Sequence, residues 1–473
     1  MADFVLVNPP LTAEARYGKL AAVGNSLPNL GLAYIAAYLR AREVDVSLID
    51  AAALGYGVTR TAQEIAAQNP LVVGLTATTM SIHLAAQIAA KVKQLAPDCV
   101  TVVGGPHATS SSEQTLDTYR SIDYVAFGEG EVTALELFTE VEHEGDVGAV
   151  RGVAYRDGGA VRRAKTRPQI RDLDSLPLPA WDLFPDLPLR YRPSPQSTYR
   201  LPSTILFTSR GCPYRCTFCD RSVFGRKLRS HSATRVFEMM EHLYRHYSIV
   251  DFAFHDESLF FDEGRLVELC RHVQRSGLPL SFSCQGRVDQ KLTPFALGEL
   301  AKAGCWQVSF GVESGSDEIL SVLGKGATVE QALETVTTVR QAGISTKAFI
   351  MLGAPGETRE TLAATRDFLL RAPLDDVMIG FYTPFPGAEL TAGIEEKGKL
   401  IGGYDQMSEH EVVFVPNGLD ARTLTKVRRQ IYRSFYLRRR VIAHYLRRLR
   451  EPSARRVLLK AAWGFVRGFV LGR

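Results

Sequence analysis

The chain has 473 residues, of which 45% are hydrophobic, and this length predicts about three domains with real apolar cores. Its seven cysteines include four without metal-ligand spacing (Cys99, Cys270, Cys284 and Cys305), which argues against a secreted disulfide framework and for a reduced, cytoplasmic protein. The start, MADFVLVNPP, does not suit a signal peptide, and no apolar run approaches the roughly 20 residues of a spanning helix.

Charge is distributed unevenly along the chain. Residues 421–473 hold 16 Lys and Arg against one acid, for a charge of +15, whereas the remaining 420 residues hold 40 bases and 50 acids, for a charge of −10. A basic tail can contact nucleic acid, an anionic membrane or an acidic partner, and charge alone does not choose among them.

Short apolar runs alternate with amphipathic stretches over residues 1–145. Five of these runs predict buried strands, at residues 4–8, 44–50, 71–77, 99–105 and 122–128. They predict a doubly wound, Rossmann-like parallel sheet, whose ligands bind beyond the carboxyl ends of the strands. At that edge lie TATTMS, with Thr76 and Thr78, and GGPHAT, with Gly104 and Gly105. These loops favour a nucleotide-like ligand, and a tight turn is the alternative for the glycine pair.

The middle of the chain predicts a connection and a second domain. Residues 146–200 contain a predicted hairpin around Asp157-Gly158-Gly159 and a proline-rich linker at 172–195. Six further strands are predicted near 204–208, 250–254, 280–284, 306–311, 346–351 and 376–381. They predict a partial (β/α)6 TIM-like barrel over residues 201–395, with active-site residues at the carboxyl ends of its strands. Residues 396–473 are predicted to form a basic, mostly helical C-terminal region.

Cys212, Cys216 and Cys219 lie in the stretch SRGCPYRCTFCDRS, directly after the first predicted barrel strand. Their C-x3-C-x2-C spacing can hold three irons of one cubane cluster and leaves the fourth iron open to a substrate. The alternatives are a zinc site completed by a histidine such as His231, and thiols that bind no ligand. The loop also carries a glycine, a proline and two aromatic residues, and it resembles the radical S-adenosylmethionine (SAM) superfamily. In that family the amino and carboxylate groups of SAM chelate the unique iron of a 4Fe-4S cluster.

Further motifs follow in the order of that family, each at a predicted strand end. The resemblance implies SAM contacts for Asp256 and Glu257 in FHDESLFFD, Gln285 and Arg287 in CQGRVD, Glu313 and Ser314 in GVESG, and Pro355 and Gly356 in MLGAPGET. The acidic pair would lie by the SAM ammonium group, although a helix cap is the alternative for each of the two. The GVESG residues would contact the ribose and amino acid moiety, and the MLGAPGET and YTPFPGAEL turns would cradle the adenine. An arginine at a strand end also has an electrostatic use near an anionic cluster.

Residues 1–145 resemble the cobalamin-binding domain that precedes the radical SAM core in the cobalamin-dependent class, and LDSLPLPAWDLFP is a linker typical of that class. The resemblance implies that the cobalamin tail lies in the cleft of the sheet, near the hydroxyl- and glycine-rich loops described above. Classical cobalamin domains carry D-x-H-x-x-G after the first strand, whereas this chain has NPPLTA, with Pro10 at the histidine position. A base-off cobalamin without a protein histidine ligand is therefore expected, with His83 and His107 as the nearest alternative ligands.

The resemblance also implies a reaction. In the family, one electron enters the cluster and cleaves SAM to a deoxyadenosyl radical, which removes a hydrogen atom from an unactivated carbon that methylcobalamin then methylates. We expect a radical SAM methyltransferase that acts on a small-molecule or lipid-like substrate with a reductant such as flavodoxin or ferredoxin. The alternatives are a cobalamin-dependent radical oxidation or cyclisation, similar to the ring closure of magnesium porphyrins, and a SAM- or cobalamin-binding sensor without turnover. The sequence indicates no catalytic residue and no substrate.

Apolar residues recur at helical spacing between the arginines of the tail, at Leu424, Val427, Ile431, Phe435, Ile442, Tyr445 and Leu449 and, after Pro452, at Trp463, Phe465 and Phe469. This pattern predicts either helices that pack over the barrel mouth or a basic amphipathic surface at the inner face of the membrane. A membrane contact would suit a lipid or porphyrin substrate. Nucleic acid is disfavoured because no recognition motif accompanies the arginines and the rest of the chain is acidic.

Overall fold

Seven strands form the first sheet of the computed structural model, which describes residues 2–257 and 259–465. They are β1 (Phe4–Asn8), β2 (Val46–Asp50), β3 (Val72–Thr76), β4 (Val100–Gly104), β5 (Tyr124–Ala126), β6 (Val153–Asp157) and β7 (Ala160–Arg163). Their order across the sheet is β2-β1-β3-β4-β5-β6-β7, and the pairs from β2 to β5 are parallel. The five strands predicted within residues 1–145 are therefore all present.

Helices cover both faces of this sheet. They are α1 (Ala13–Tyr17), α2 (Leu30–Arg40), α3 (Ala51–Leu54), α4 (Val58–Ala66), α5 (Ile82–Leu95), α6 (Pro106–Ser110), α7 (Ser112–Thr118) and α8 (Gly130–Glu142). Val5 and Val73 share one apolar core with α4 and α5, whereas Phe4 and Leu6 share another with α2 and α8. Alternate residues of a strand point to opposite faces, so continuous apolar runs supply both cores of the doubly wound sheet.

The strands β6 and β7 form the hairpin predicted around Asp157-Gly158-Gly159. The prediction placed this hairpin in the connecting segment, but β6 pairs antiparallel with β5, with Tyr155 opposite Tyr124, and so extends the first sheet. The proline-rich stretch that follows contains short 3₁₀ turns and buries Trp181.

Six parallel strands form a second sheet, the partial barrel. The chain runs through β8 (Ser203–Leu206), the short antiparallel pair β9 (Ser209–Arg210) and β10 (Arg229–Ser230), and then β11 (Asp251–Phe254), β12 (Ser281–Arg287), β13 (Cys305–Glu313), β14 (Ser345–Leu352) and β15 (Asp376–Phe381). The order across the barrel sheet is β15-β14-β13-β12-β11-β8. The helices of this part are α9 (Ala233–Tyr247), α10 (Glu263–Ser276), α11 (Pro294–Lys302), α12 (Asp317–Val322), α13 (Val329–Gln341) and α14 (Arg359–Arg371). The predicted six strand-helix units are present, and the carboxyl ends of the strands meet at one edge.

The C-terminal region is helical, as predicted. It contains α15 (Ile394–Lys397), the antiparallel strands β16 (Gly398–Leu400) and β17 (Phe414–Pro416), and the helices α16 (Ala421–Tyr436), α17 (Arg439–Arg448) and α18 (Pro452–Phe465). The side chains of Leu424, Ile431 and Phe435 on α16 are 0% exposed and belong to the barrel core. The Tyr436 hydroxyl donates to Asp376 at the start of β15 at 2.5 Å. Helix α16 is therefore part of the folded barrel.

The same region covers the edge strand β15. The Phe381 N–H donates to the Glu409 carbonyl at 2.7 Å, and the Ile379 N–H donates to the Tyr432 hydroxyl at 3.0 Å. An uncovered edge strand would offer unpaired backbone groups to other chains. These contacts occupy that edge where the barrel remains open.

Candidate functional site

The loop that carries the three cysteines is closed at its base by the short pair of strands, in which Arg210 lies opposite Arg229. Gly211 follows β9 with a φ of 87°, and a Cβ at this position would lie 2.4 Å from the Lys227 carbonyl oxygen. Only glycine fits this turn without displacing backbone. The chain therefore enters the loop in a fixed direction.

The backbone fixes the cysteines within the loop. Cys216 is buried, and Cys212 and Cys219 are half-buried. The Cys219 N–H donates to the Cys216 carbonyl at 3.3 Å, and the Thr217 N–H donates to the Leu323 carbonyl, just after α12, at 3.0 Å. The loop is thus attached to the carboxyl side of the barrel sheet.

The chemistry of these thiols fits a cluster. Burial, and then the charges of Glu257, Cys216 and Cys212, raise the pKa of Cys219 to about 12. A thiolate here needs a neighbouring cation, and a bound iron supplies one. Within residues 2–257 and 259–465, no three His, Cys, Asp or Glu side chains are placed to hold a single metal ion. A cubane does not require such convergence because each thiolate binds a different iron.

His231, the histidine considered for a zinc site, is engaged elsewhere. Its Nδ1 lies 2.9 Å from Asp174, and its Nε2 lies 3.2 Å from the Tyr34 hydroxyl. Burial lowers its pKa to about 4, so the ring is neutral. Because both ring nitrogens already have partners, His231 is not positioned to complete a zinc site with the cysteines.

The acidic pair after β11 has two different environments. Asp256 is buried and accepts hydrogen bonds from the Thr208 N–H and hydroxyl, each at 2.5 Å, and from the Ser209 N–H at 3.0 Å. Its described hydrogen bonds all hold the turn that leads into the cysteine loop. Glu257 is solvent-exposed and lies close enough to raise the pKa of the Cys219 thiol. Glu257 is therefore the member of the pair that faces the thiols.

The strand end at GVESG is strained. Glu313 has a φ of 68°, uncommon for a residue other than glycine, where the register with β14 shifts after Gly311. Lys325 lies 2.8 Å from the Glu313 carboxylate and fixes its direction. Ser314 is fully buried, with its hydroxyl 3.2 Å from that of Thr365 on α14. Glu313 is thus held at the strand end, whereas Ser314 contacts a helix.

The remaining predicted SAM contacts also lie at strand ends. Gln285 is half-buried on β12. In the turn after β14, Pro355 is buried, and Gly356 is exposed with a φ of 82°. Glu357, the next residue, accepts a hydrogen bond from the Gly353 N–H and so closes this turn. Burial raises the pKa of Glu357 to about 7. Its only sequence signal was its place in GAPGET.

At the edge of the first sheet, the structure brings Thr76, Gly104 and Gly105 together. The Ala77 N–H donates to the Gly104 carbonyl at 2.8 Å. Gly105 has a φ of 97°, and a Cβ there would lie 2.8 Å from the Ala77 carbonyl oxygen and 3.0 Å from the Thr76 hydroxyl. Only glycine fits here without displacing backbone, so the two loops pack closely at this edge of the sheet.

The next residues of these two loops contact each other or their own helix. The Thr78 N–H donates to the Ser81 hydroxyl at 2.9 Å, so this threonine is held in the turn that precedes α5. His107 is buried, with Nδ1 at 3.3 Å from the Thr79 hydroxyl and its ring edge-on to Tyr404 at 5.1 Å. Burial lowers the pKa of His107 to about 4, so this histidine is neutral.

The two strand edges face each other. Gly387, after β15, has a φ of 87°, and a Cβ there would lie 2.6 Å from Oδ1 of Asp220 and 2.8 Å from Cβ of Ser110. Asp220 directly follows the last of the three cysteines, and Ser110 ends α6, the helix that follows the glycine pair. Tyr404 also crosses between the domains, because its hydroxyl donates to Gln114 at 2.9 Å. The cysteine loop and the helix after the glycine pair therefore come together at one contact between the two domains.

A buried ion cluster fixes this arrangement. Arg210 lies 2.9 Å from Glu129 and 2.6 Å from Glu131, and Arg229 lies 2.9 Å from Glu129. The four side chains are 3–8% exposed. The arginines flank the cysteine loop, and the glutamates belong to the GEGE loop after β5. The sequence carried no signal of this pairing.

Comparisons with known proteins match the two domains separately. The model of the B12 binding domain matches residues 19–138, and that of the Radical SAM superfamily matches residues 206–369. An uncharacterised methyltransferase of Pyrococcus horikoshii is 32% identical over 443 residues, which cover 93% of this chain and 93% of that protein. An anaerobic magnesium-protoporphyrin IX monomethyl ester cyclase of Rubrivivax gelatinosus is 28% identical, with 88% of this chain and 75% of that protein covered.

The fold is also found among solved structures. OxsB, a cobalamin-dependent S-adenosylmethionine radical enzyme with aqua-cobalamin and S-adenosylmethionine bound, superposes with a TM-score of 0.76 at 19% identity, over 99% of this chain and 72% of that one. The chain belongs to the cobalamin-dependent radical SAM enzymes. The family predicted from the cysteine loop and the strand-end motifs is confirmed.

The ion cluster yields a stability prediction. Glu129→Gln removes the carboxylate that contacts both Arg210 and Arg229, so we expect the free energy of unfolding to fall by about 3–5 kcal/mol in urea titrations followed by circular dichroism. Glu136→Gln is the control, because Glu136 pairs with Arg167 at the surface with its side chain 46% exposed. The control should lose no more than about 1 kcal/mol. Equal losses in the two variants would contradict the structural importance of the cluster.

Proposed function

We propose that this enzyme is a methyltransferase that uses a 4Fe-4S cluster, SAM and cobalamin to methylate an unactivated carbon of a small or lipid-like molecule. The observation that carries the proposal is the approach of the cysteine loop and the glycine loops around Gly387. A substrate held between these two loops would adjoin both cofactor sites at once. When bound, the cluster with SAM supplies the hydrogen-abstracting radical, and the methylated corrin supplies the methyl group.

The residues around the cysteines would have two roles. Some would contact the cluster or SAM, and others would hold those residues in position. Cys212, Cys216 and Cys219 would each ligate one iron. Glu257 and Glu313 would contact SAM, because both carboxylates lie at the strand ends beside the cysteine loop. Pro355, Gly356 and Gln285 would line the rest of the SAM site, at the carboxyl ends of β14 and β12.

Buried polar residues would position these contacts. Asp256 holds the turn before the cysteine loop, Ser314 bonds to α14, and Glu357 closes the turn after β14. Buried carboxylates with several donors keep a fixed geometry, which a radical reaction needs to hold its target carbon in place.

For the cobalamin, we propose a base-off state without a histidine ligand, in the cleft near Thr76, Thr78, Gly104 and Gly105. The ring nitrogen of Pro10 is part of a peptide bond and cannot ligate cobalt. His107 is buried against Thr79 and Tyr404, so its ring is already held by protein contacts. His83 lies in the first turn of α5 and is half-buried.

A radical cyclisation or oxidation is the second candidate, favoured by the similarity to the cyclase of Rubrivivax gelatinosus. A sensor without turnover would not need an open iron. The products separate the two reactions, because methylation adds the mass of one methylene, whereas oxidative cyclisation removes hydrogens and adds oxygen. A low-potential donor such as flavodoxin or ferredoxin would supply the electron in either case.

For the tail, we propose a peripheral membrane contact through α17 and α18. Each helix buries one face and exposes an apolar pair four residues apart: Ile442 and Leu446 are 43% and 59% exposed, and Leu459 and Trp463 are 53% and 64% exposed. Exposed bases flank these pairs, and apolar side chains amid basic residues suit an anionic interface. Among the described residues, the helices lack the combined length and apolarity that crossing a bilayer requires.

Several apolar residues of the tail are unavailable to a membrane because they pack inside the protein. Leu424, Ile431 and Phe435 are in the barrel core and cannot reach a bilayer, and Val427 and Tyr445 also pack against that core. The side chain of Phe465 and all of Phe469 lie outside the described residues. Because α16 belongs to the core, removal of residues 421–473 is unsuitable as a test of membrane binding.

The three cysteines yield a prediction about the iron-sulfur cluster. Replacing Cys212, Cys216 or Cys219 with Ala should abolish SAM cleavage and reduce the iron content, measured by deoxyadenosine release and iron assay after anaerobic reconstitution. Cys270→Ala is the control, because this buried thiol on α10 only fills apolar space and should leave the iron content nearly unchanged. Full SAM cleavage by the Cys216→Ala protein would overturn the cluster assignment.

The base-off proposal yields a prediction about the axial ligand of the cobalt. Bound cob(II)alamin should give the electron paramagnetic resonance spectrum of a base-off centre without nitrogen superhyperfine splitting. The spectra of the His83→Ala and His107→Ala proteins should match that of the wild type. A nitrogen triplet in the wild type that disappears in either variant would identify that histidine as the axial ligand and contradict the proposal.

The exposed apolar pairs on α17 and α18 yield a prediction about vesicle binding. The protein should cosediment with anionic phosphatidylserine vesicles, weakly at high salt because each base near such a surface contributes on the order of 1 kcal/mol before screening. The double variant Leu459→Glu/Trp463→Glu should lose the salt-resistant part of binding. Phe295→Glu is the control, a substitution at a residue 57% exposed on α11. Full-length protein that ignores these vesicles at low salt would contradict the membrane contact.

A further inference from the structure

Arg287 ends β12 beside the cysteine loop, with its side chain 7% exposed. The family resemblance grouped it with the SAM contacts, but its hydrogen bonds lead elsewhere. Nη1 donates to Sγ of Cys216 at 3.1 Å. Arg287 therefore donates directly to one of the three thiols in the cysteine loop.

The other donors of Arg287 are held by protein. Nε and Nη2 donate to the two carboxylate oxygens of Asp289, each at 2.9 Å, and Nη2 also donates to the Lys325 carbonyl. The guanidinium lies 3.8 Å from the centre of the Tyr214 ring, which covers one face. Guanidinium donors have a fixed fork geometry, so these contacts aim Nη1 at the sulfur. Little of the group is left to bind SAM.

We infer that Arg287 is a positioning residue that tunes the cluster: its N–H to the Cys216 sulfur raises the reduction potential of the iron-sulfur centre. The inference rests on the proposed function, in which Cys216 ligates an iron. Reduction adds an electron to the cluster, and negative charge on its thiolates then increases. A hydrogen bond to a ligating sulfur stabilises that reduced state more than the oxidised one, which makes the cluster easier to reduce.

Asp289 permits a test that separates the hydrogen bond from net charge. Arg287→Gln alone would leave Asp289 as an unpaired acid, whereas Arg287→Gln/Asp289→Asn removes one positive and one negative charge together. Any change of potential in the double variant then reports the lost N–H···S bond. Asp289→Asn alone is the matched control, because it removes a negative charge and leaves the arginine near the thiol.

The measurement is an anaerobic redox titration of the reconstituted proteins, followed by the electron paramagnetic resonance signal of the reduced cluster. We expect a more negative midpoint for Arg287→Gln/Asp289→Asn than for the wild type, at equal iron content. For Asp289→Asn we expect a midpoint unchanged or more positive. Arg221→Gln is a further comparison, since Arg221 donates to the Tyr214 and Cys216 carbonyls at 2.7 and 3.3 Å and not to sulfur. It should lower cluster retention more than it shifts the midpoint.

Two outcomes would overturn the inference. One is a double variant that holds the cluster at the wild-type midpoint, which would show that the N–H···S bond has no redox effect. The other is a folded double variant without a cluster, which would make Arg287 an assembly residue. A wild-type protein that forms no cluster under the same conditions would instead contradict the proposed function.

Discussion

The arrangement of this enzyme depends on one buried ion cluster, in which Arg210 and Arg229 meet Glu129 and Glu131. The two arginines flank the cysteine loop, and the two glutamates follow the last parallel strand of the first sheet. Charges taken out of water must be paired, so a shift of one domain against the other would leave buried charges without partners. The cluster therefore fixes which edge of each sheet faces the other.

Three glycines allow the sheet edges to approach each other once the ion pairs have fixed the two domains. Gly105, Gly211 and Gly387 lie where a side chain would collide with backbone or with the opposite domain. Each occupies a left-handed conformation that suits glycine. The close approach of the two edges thus depends on missing side chains as much as on the contacts that are present. Buried polar residues such as Asp256 then hold the turns that lead into the cysteine loop.

Much of the fold could be predicted from the sequence, because apolar runs and helical periodicity report burial directly. The three cysteines were also evident, since ligand spacing is local. The ion cluster was not, because GEGE and the two arginines are about 80–100 residues apart and their pairing is a tertiary property. The tail was predicted as helices, but periodicity could not say which apolar face packs inside. Leu446 and Leu459 are exposed although Ile431 and Phe435 are buried.

The cover on β15 sets an order of assembly during synthesis. The first sheet is complete by Arg163, so it can fold while the ribosome is still adding the barrel. The barrel differs, because its edge strand needs Glu409 and Tyr432, and its core needs Phe435. The nascent barrel therefore stays incomplete until the last part of the chain has emerged. The barrel that surrounds the cysteine loop is therefore complete only after the residues up to Phe435 have emerged.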